Sequence, residues 1–135
     1  MNDRVIRLLE QNRIAEKEQA LFYRALAVQA EEGMHDDLSQ RFHDLHADEQ
    51  HHLSRLTARL IEIGRNPSDL SGVQTPFISL EGWESVARFR ERSEVERYAG
   101  LMELELDTQT RALIEQILGV ERQHAEELGG KWTLA

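Results

Sequence analysis

The chain has 135 residues, a mass of 15.6 kDa and no cysteine. That length fits one domain over residues 1–135, and the absence of thiols excludes disulfides, cysteine-ligated zinc, iron–sulfur clusters and thiol catalysis. Sixteen Lys and Arg against 25 Asp and Glu give a net charge of −9, which argues against nucleic acid or an anionic membrane as partner and favours cations.

Only two prolines and eight glycines interrupt the chain, so the composition predicts an all-α fold. No apolar run approaches the roughly 18 residues of a membrane span. The N-terminal MNDRVIRLLEQNR is charged throughout and lacks a signal-peptide core, so a cytoplasmic protein is expected.

A first helix is predicted over residues 2–32, with Val5, Leu9, Ala20, Tyr23, Ala27 and Ala30 on its apolar face and Gly33 ending it. Asp36 or Asp37 is expected to cap a second helix that runs to Ile63 and buries Leu38, Phe42, Leu45, Leu53, Leu56, Leu60 and Ile63. Residues 64–78, GRNPSDLSGVQTPFI, hold both prolines and no helical period, and read as a long crossover. Such a segment reaches about 50 Å, enough to run the length of helices of roughly 26 residues and leave the second and third parallel. The third helix is expected to start between Ser79 and Trp83 and to reach about Leu106. Asp107 or Thr108 caps a fourth, which carries Leu113, Ile114, Ile117, Leu118 and Leu128 and stops at Gly129-Gly130, before a short tail over 129–135. The pattern predicts a four-helix bundle of two antiparallel hairpins joined by a crossover.

Charge interrupts the predicted core. Glu49 and His52 fall in the row Phe42, Leu45, Leu56, Leu60, and Glu121 and His124 in the row Ile114, Ile117, Leu128; Glu16 lies between Leu9 and Tyr23, and Glu91 between Ala87 and Tyr98. An unpaired carboxylate in an apolar core costs more than a domain's whole stability. Two divalent cations would balance four glutamates, and two neutral histidines would complete the ligand set. One Glu-x-x-His is weak evidence, because 18 glutamates and six histidines in this chain give about one such pair by chance. Glu32 and His35 form such a pair across the first turn.

Position adds weight. Glu16 and Glu49 stand 17 and 16 residues from Gly33, and Glu91 and Glu121 stand 16 and 14 from Asp107, so each pair is nearly level. Tyr23 and Tyr98 each follow a glutamate by seven residues, two turns along one face. Each phenol is thereby placed to hydrogen-bond a ligand carboxylate or to donate electrons, and the first role is preferred. His35, His43, His46 and His51 read as surface residues; Trp83 and Trp132 read as helix-end packing.

At these residues the chain resembles the ferritin-like superfamily, especially its rubrerythrin and bacterioferritin branches. The resemblance covers about residues 3–128 and is strongest in LSQRFHDLHADEQHHLSRLTARLIEIGRNP and LIEQILGVERQHAEEL. It implies that Glu16, Glu49, His52, Glu91, Glu121 and His124 ligate two metal ions, with Glu49 and either Glu91 or Glu121 bridging. Arg88 stands where rubrerythrins carry an extra glutamate, and Glu94, one turn on, is an additional candidate ligand. Asp48 matches a family aspartate that hydrogen-bonds a ligand histidine of the other hairpin, whereas Val120 replaces its counterpart. Gln50 occupies the haem-ligating methionine position of bacterioferritins, so haem is not expected.

The resemblance implies a di-iron oxidoreductase of ferroxidase or peroxidase type that oxidises Fe(II) with oxygen or peroxide, or alternatively a non-catalytic protein for iron storage, buffering or delivery. A third reading is a structural bundle with a polar network. Oxygen and nitrogen ligands suit iron and manganese alike. A homodimer or higher homo-oligomer is the expected assembly. The electron donor and any organic substrate are not legible.

Overall fold

The computed structural model describes residues 2–128. Four long helices, α1 (Asp3–Glu32), α2 (Asp36–Glu62), α3 (Trp83–Met102) and α4 (Thr108–Leu128), are joined by turns and by one long irregular segment that ends in a single 3₁₀ turn at Leu80–Gly82. The described residues include no strand. None of the helices is long and apolar enough to cross a membrane. Gly129, Gly130, Trp132 and the 129–135 tail lie outside the described residues.

α1 packs chiefly on α2 and α3 on α4, with lighter α1–α3 and α2–α4 contacts. Between α1 and α2, Ser39 meets Ala27, His46 meets Ala20, His52 meets Glu16, Thr57 meets Arg13 and Arg65 meets Asp3. Residue numbers fall along α1 as they rise along α2. Between α3 and α4, Arg88 reaches the Leu128 carbonyl and Arg111 reaches that of Met102, in the same opposed order.

The ends differ from expectation in three places. α3 stops at Met102, four residues early, because Arg111 donates to the carbonyls of Met102 and Leu104 and so satisfies acceptors the helix leaves free. Asp107 then caps α4, its Oδ1 2.8 Å from the Thr110 amide. At the α1–α2 turn it is Met34, not Gly33, that takes the left-handed conformation, at φ 60°. The His35 amide bonds the Ala30 carbonyl and the Met34 amide that of Glu31, a Schellman closure. A Cβ at Gly33 would sit 2.9 Å from the His35 ring, which is exposed and would have to turn aside. His35, not Asp36 or Asp37, occupies the α2 N-cap, and the two aspartates lie in the first turn, where their charge suits the helix dipole.

Two apolar clusters form the core. One, at the α1–α2 turn, contains Phe22, Leu26, Leu38, Phe42, Trp83 and Leu128; the other, at the opposite end, contains Val5, Leu9, Leu56, Leu60, Leu101 and Ile114. Trp83 packs edge-on to Phe42 with ring centroids 4.8 Å apart. The predicted apolar residues are buried except Leu53 and Ile63, which are half-buried. Arg59 ties α2 to the start of α4 through Thr110, Gln109 and Asp107.

Candidate metal centre

Between the two apolar clusters lies a layer of charge. α1 contributes Glu16, α2 Glu49 and His52, α3 Glu91 and Glu94, and α4 Glu121 and His124. All seven are buried, and Glu16, Glu49, Glu91 and Glu121 have no exposed surface. Each side chain faces inward because it continues its helix's apolar row: Leu45, Glu49, His52 and Leu56 follow one another at spacings of three and four.

Their ligand atoms fall into three overlapping groups, each within 4.8 Å. Glu16, Glu49, His52 and Glu121 form one; Glu91, Glu121 and His124 the second; Glu49, Glu91, Glu94 and Glu121 the third. Both imidazoles turn Nδ1 to the middle. His52 Nδ1 lies 3.1 Å from Glu16 Oε2 and 3.1 Å from Glu121 Oε1, and His124 Nδ1 lies 3.6–3.8 Å from Glu91, Glu49 and Glu121. Glu94 thus joins the cluster, as the 60° between it and Glu91 around a helix allows. Its Oε1 is 3.5 Å from Arg97 Nη2.

The surrounding hydrogen bonds cross between helices. Tyr23 on α1 donates to Glu91 Oε1 at 2.6 Å, and Tyr98 on α3 donates to Glu16 Oε1 at 3.1 Å. Asp48 Oδ2 is 2.9 Å from His124 Nε2; Val120 offers His52 no such acceptor. Gln19, which no sequence motif marks, donates to Glu91 at 3.2 Å and accepts from Arg90. The internal repeat held its signal: Gln19 stands three residues after Glu16 as Glu94 stands three after Glu91. Glu18 is half-buried at the rim of an α1–α3 cleft, outside all three groups, and His51 is exposed. His46 is half-buried on the Ala20 carbonyl rather than at the surface as expected.

These bonds leave atoms stranded. Both oxygens of Glu49 and of Glu121, Oε2 of Glu91 and of Glu94, and Nδ1 of His124 are buried without a hydrogen-bond partner. Burial, reinforced by neighbouring glutamates, pushes the carboxyls of Glu16, Glu49, Glu94 and Glu121 well above their ordinary range. Glu91 goes the other way. Burial raises it, but His124, Glu121 and Tyr23 outweigh that and hold it low. Burial alone would lower His124; Asp48 and Glu91 instead carry its imidazole up to about 11. The Tyr23 and Tyr98 phenols are pushed well up by burial and then by the glutamates, so they remain protonated donors.

The arrangement fits metal ions on three counts. Buried polar atoms without partners are rare in native proteins, and among the described residues seven of the eight belong to this layer, Asn12 Oδ1 being the other. Oxygen and imidazole nitrogen are the donors of iron and manganese sites. Atoms 2.0–2.2 Å from a shared ion stand at most about 4.4 Å apart, close to the separation found. The buried cluster can hold a metal ion. Five buried carboxylates face this layer, one more than the four expected, and the fifth, Glu94, has Arg97 beside it. Comparison with protein-family models finds no match for this chain, and comparison with curated proteins finds none.

Proposed function

We propose that the chain is a ferritin-like di-metal oxidoreductase of the rubrerythrin–bacterioferritin kind, which oxidises Fe(II) with oxygen or peroxide. The opposed residue pairings between α1 and α2 and between α3 and α4 support two antiparallel hairpins, and the irregular stretch between Glu62 and Leu80 supports the crossover that joins them. The observation that carries the reading is the distribution of free oxygens. Glu16 and Glu91 each have one oxygen occupied by a tyrosine hydroxyl, which suits one-oxygen ligation at the two ends. Glu49 and Glu121 keep both oxygens free and stand between the histidines, which suits bridging.

Bound at this centre, iron supplies the electrons that reduce oxygen or peroxide. The chain supplies the rest. Glu16, Glu49, His52, Glu91, Glu121 and His124 would hold the ions, and Glu94 adds a fifth carboxylate beside them. Asp48 accepts the Nε2 proton of His124 and so points its Nδ1 inward. Tyr23 and Tyr98 fix carboxylate orientation through their hydroxyls, and the apolar clusters above and below exclude water.

Elemental analysis after reconstitution with ferrous iron or manganese should give about two ions per chain. Oxygen uptake on adding ferrous iron separates turnover from storage. Glu16→Ala, Glu49→Ala and His52→Ala should each lose metal, whereas Glu18→Ala, about 200° around α1 from Glu16, and His51→Ala should keep it. A reconstituted protein without metal, or one that loses it on Glu18→Ala and keeps it on Glu16→Ala, overturns the assignment.

A further inference from the structure

Building on the two-ion reading above, we infer that Gln19, held by Arg90, is a positioning residue for Glu91 and makes the two metal positions unequal. Gln19 is 2% exposed and lies between two partners of opposite demand. A guanidinium has only donors, so Arg90 Nε, 2.9 Å away, fixes the carbonyl end of the Gln19 amide toward itself. The amide nitrogen is thereby turned inward to Glu91 Oε1, 3.2 Å away. Tyr23 donates to the same oxygen. Oε1, which also lies 3.6 Å from His124 Nδ1, therefore carries two donors that fix the carboxylate's orientation, and Oε2 is without a partner.

Arg90 is itself held from two sides. Its guanidinium lies 4.7 Å from the centroid of the Phe22 ring, and its Nη2 lies 3.4 Å from Thr75 Oγ1 in the irregular segment. The Glu16 half lacks this device. Glu16 has Tyr98 on Oε1 and His52 Nδ1 3.1 Å from Oε2, and it has the Glu94 carboxylate as its neighbour where Glu91 has an amide. The ion on the Glu91–His124 side thus depends on Gln19, and the ion on the Glu16–His52 side does not.

Cobalt(II) binding to the full chain, followed by visible absorption, tests this without turnover. Wild type should take two ions. Gln19→Leu removes the donor, and Arg90→Gln frees the amide to turn over. Each should weaken one ion about ten- to a hundredfold, the usual cost of losing a partner that orients a ligand, and leave the other unchanged. Arg90→Lys, which keeps a donor toward the Gln19 carbonyl, should recover most of the loss. Metal-free melting temperatures are taken alongside; if Gln19→Leu is destabilised, the two Arg90 variants decide. Wild-type affinity for both ions in Arg90→Gln, or equal weakening of both, overturns the inference. Fewer than two ions in the wild type is a different result, which overturns the two-ion reading and the inference with it.

Discussion

Phe42, Leu9 and Ile114 at the two ends of the bundle are as fully buried as Glu49 and Glu121 in its middle, yet the two regions hold together by opposite means. At the ends the clustered apolar side chains meet one another, and burial itself is the stabilising term. In the middle the stranded carboxylate oxygens make burial a cost. The same helices run through both regions, so the ends hold the middle in place. The difference teaches that one helical row can serve packing and chemistry when the charged positions are level across all four helices.

Substitution should separate the regions most sharply. Phe42→Ala removes a ring packed against Trp83 and Tyr23 and should cost about 3–5 kcal/mol, equally with and without metal. Glu49→Leu should do the reverse: it should raise metal-free stability by about 1–4 kcal/mol, as buried charge gives way to apolar volume, and abolish two-ion binding. Urea unfolding of both variants, loaded and metal-free, measures this. A Glu49→Leu protein less stable than wild type when metal-free would show that the middle is not under charge strain.

Metal itself should stabilise by mass action, about 4 kcal/mol at a thousandfold excess over Kd, and pH sharpens this. The carboxyls of Glu16, Glu49, Glu94 and Glu121 sit above their ordinary value of 4.5 in the folded chain. A raised carboxyl favours the folded state when protonated, so these groups cost the metal-free protein stability as pH rises above 4.5. Metal relieves that cost at neutral pH, and protons compete with it in acid. The rise in melting temperature on adding manganese should therefore be largest near pH 7 and shrink toward pH 5. A gain that is constant over that range would place the bound metal outside this layer.

Much of both regions was legible in the sequence because each obeys a period. The apolar rows gave the ends, and the level placement of Glu16, Glu49, Glu91 and Glu121 gave the middle. Residues defined by a partner on another helix were harder to see. Gln19 reads as any helical glutamine until Arg90 and Glu91 close on it, and Glu94 could not be chosen over Glu91 because both point inward. The early stop of α3 depends on Arg111, nine residues beyond Met102, and no local pattern at residues 103–106 announces it. His46 reads as surface because its acceptor is a backbone carbonyl on α1.

The smallest effect serves as a control on the comparison. Both ends of the α1–α2 pair close with a Schellman turn, but one places Gly64 at φ 84° and the other Met34 at φ 60°. An L-residue in the left-handed region carries about 1–2 kcal/mol of steric cost, and glycine escapes it. Met34 gains little in return, since its side chain is 84% exposed. Met34→Gly should therefore stabilise the protein, by about 1 kcal/mol once glycine's greater unfolded-state entropy is deducted. The turn lies at the apolar end, so the gain should be the same in metal-free and manganese-loaded protein, read as parallel shifts in urea midpoint. A gain present only with metal would mean that this end and the charged layer are not independent, and would break the division between them.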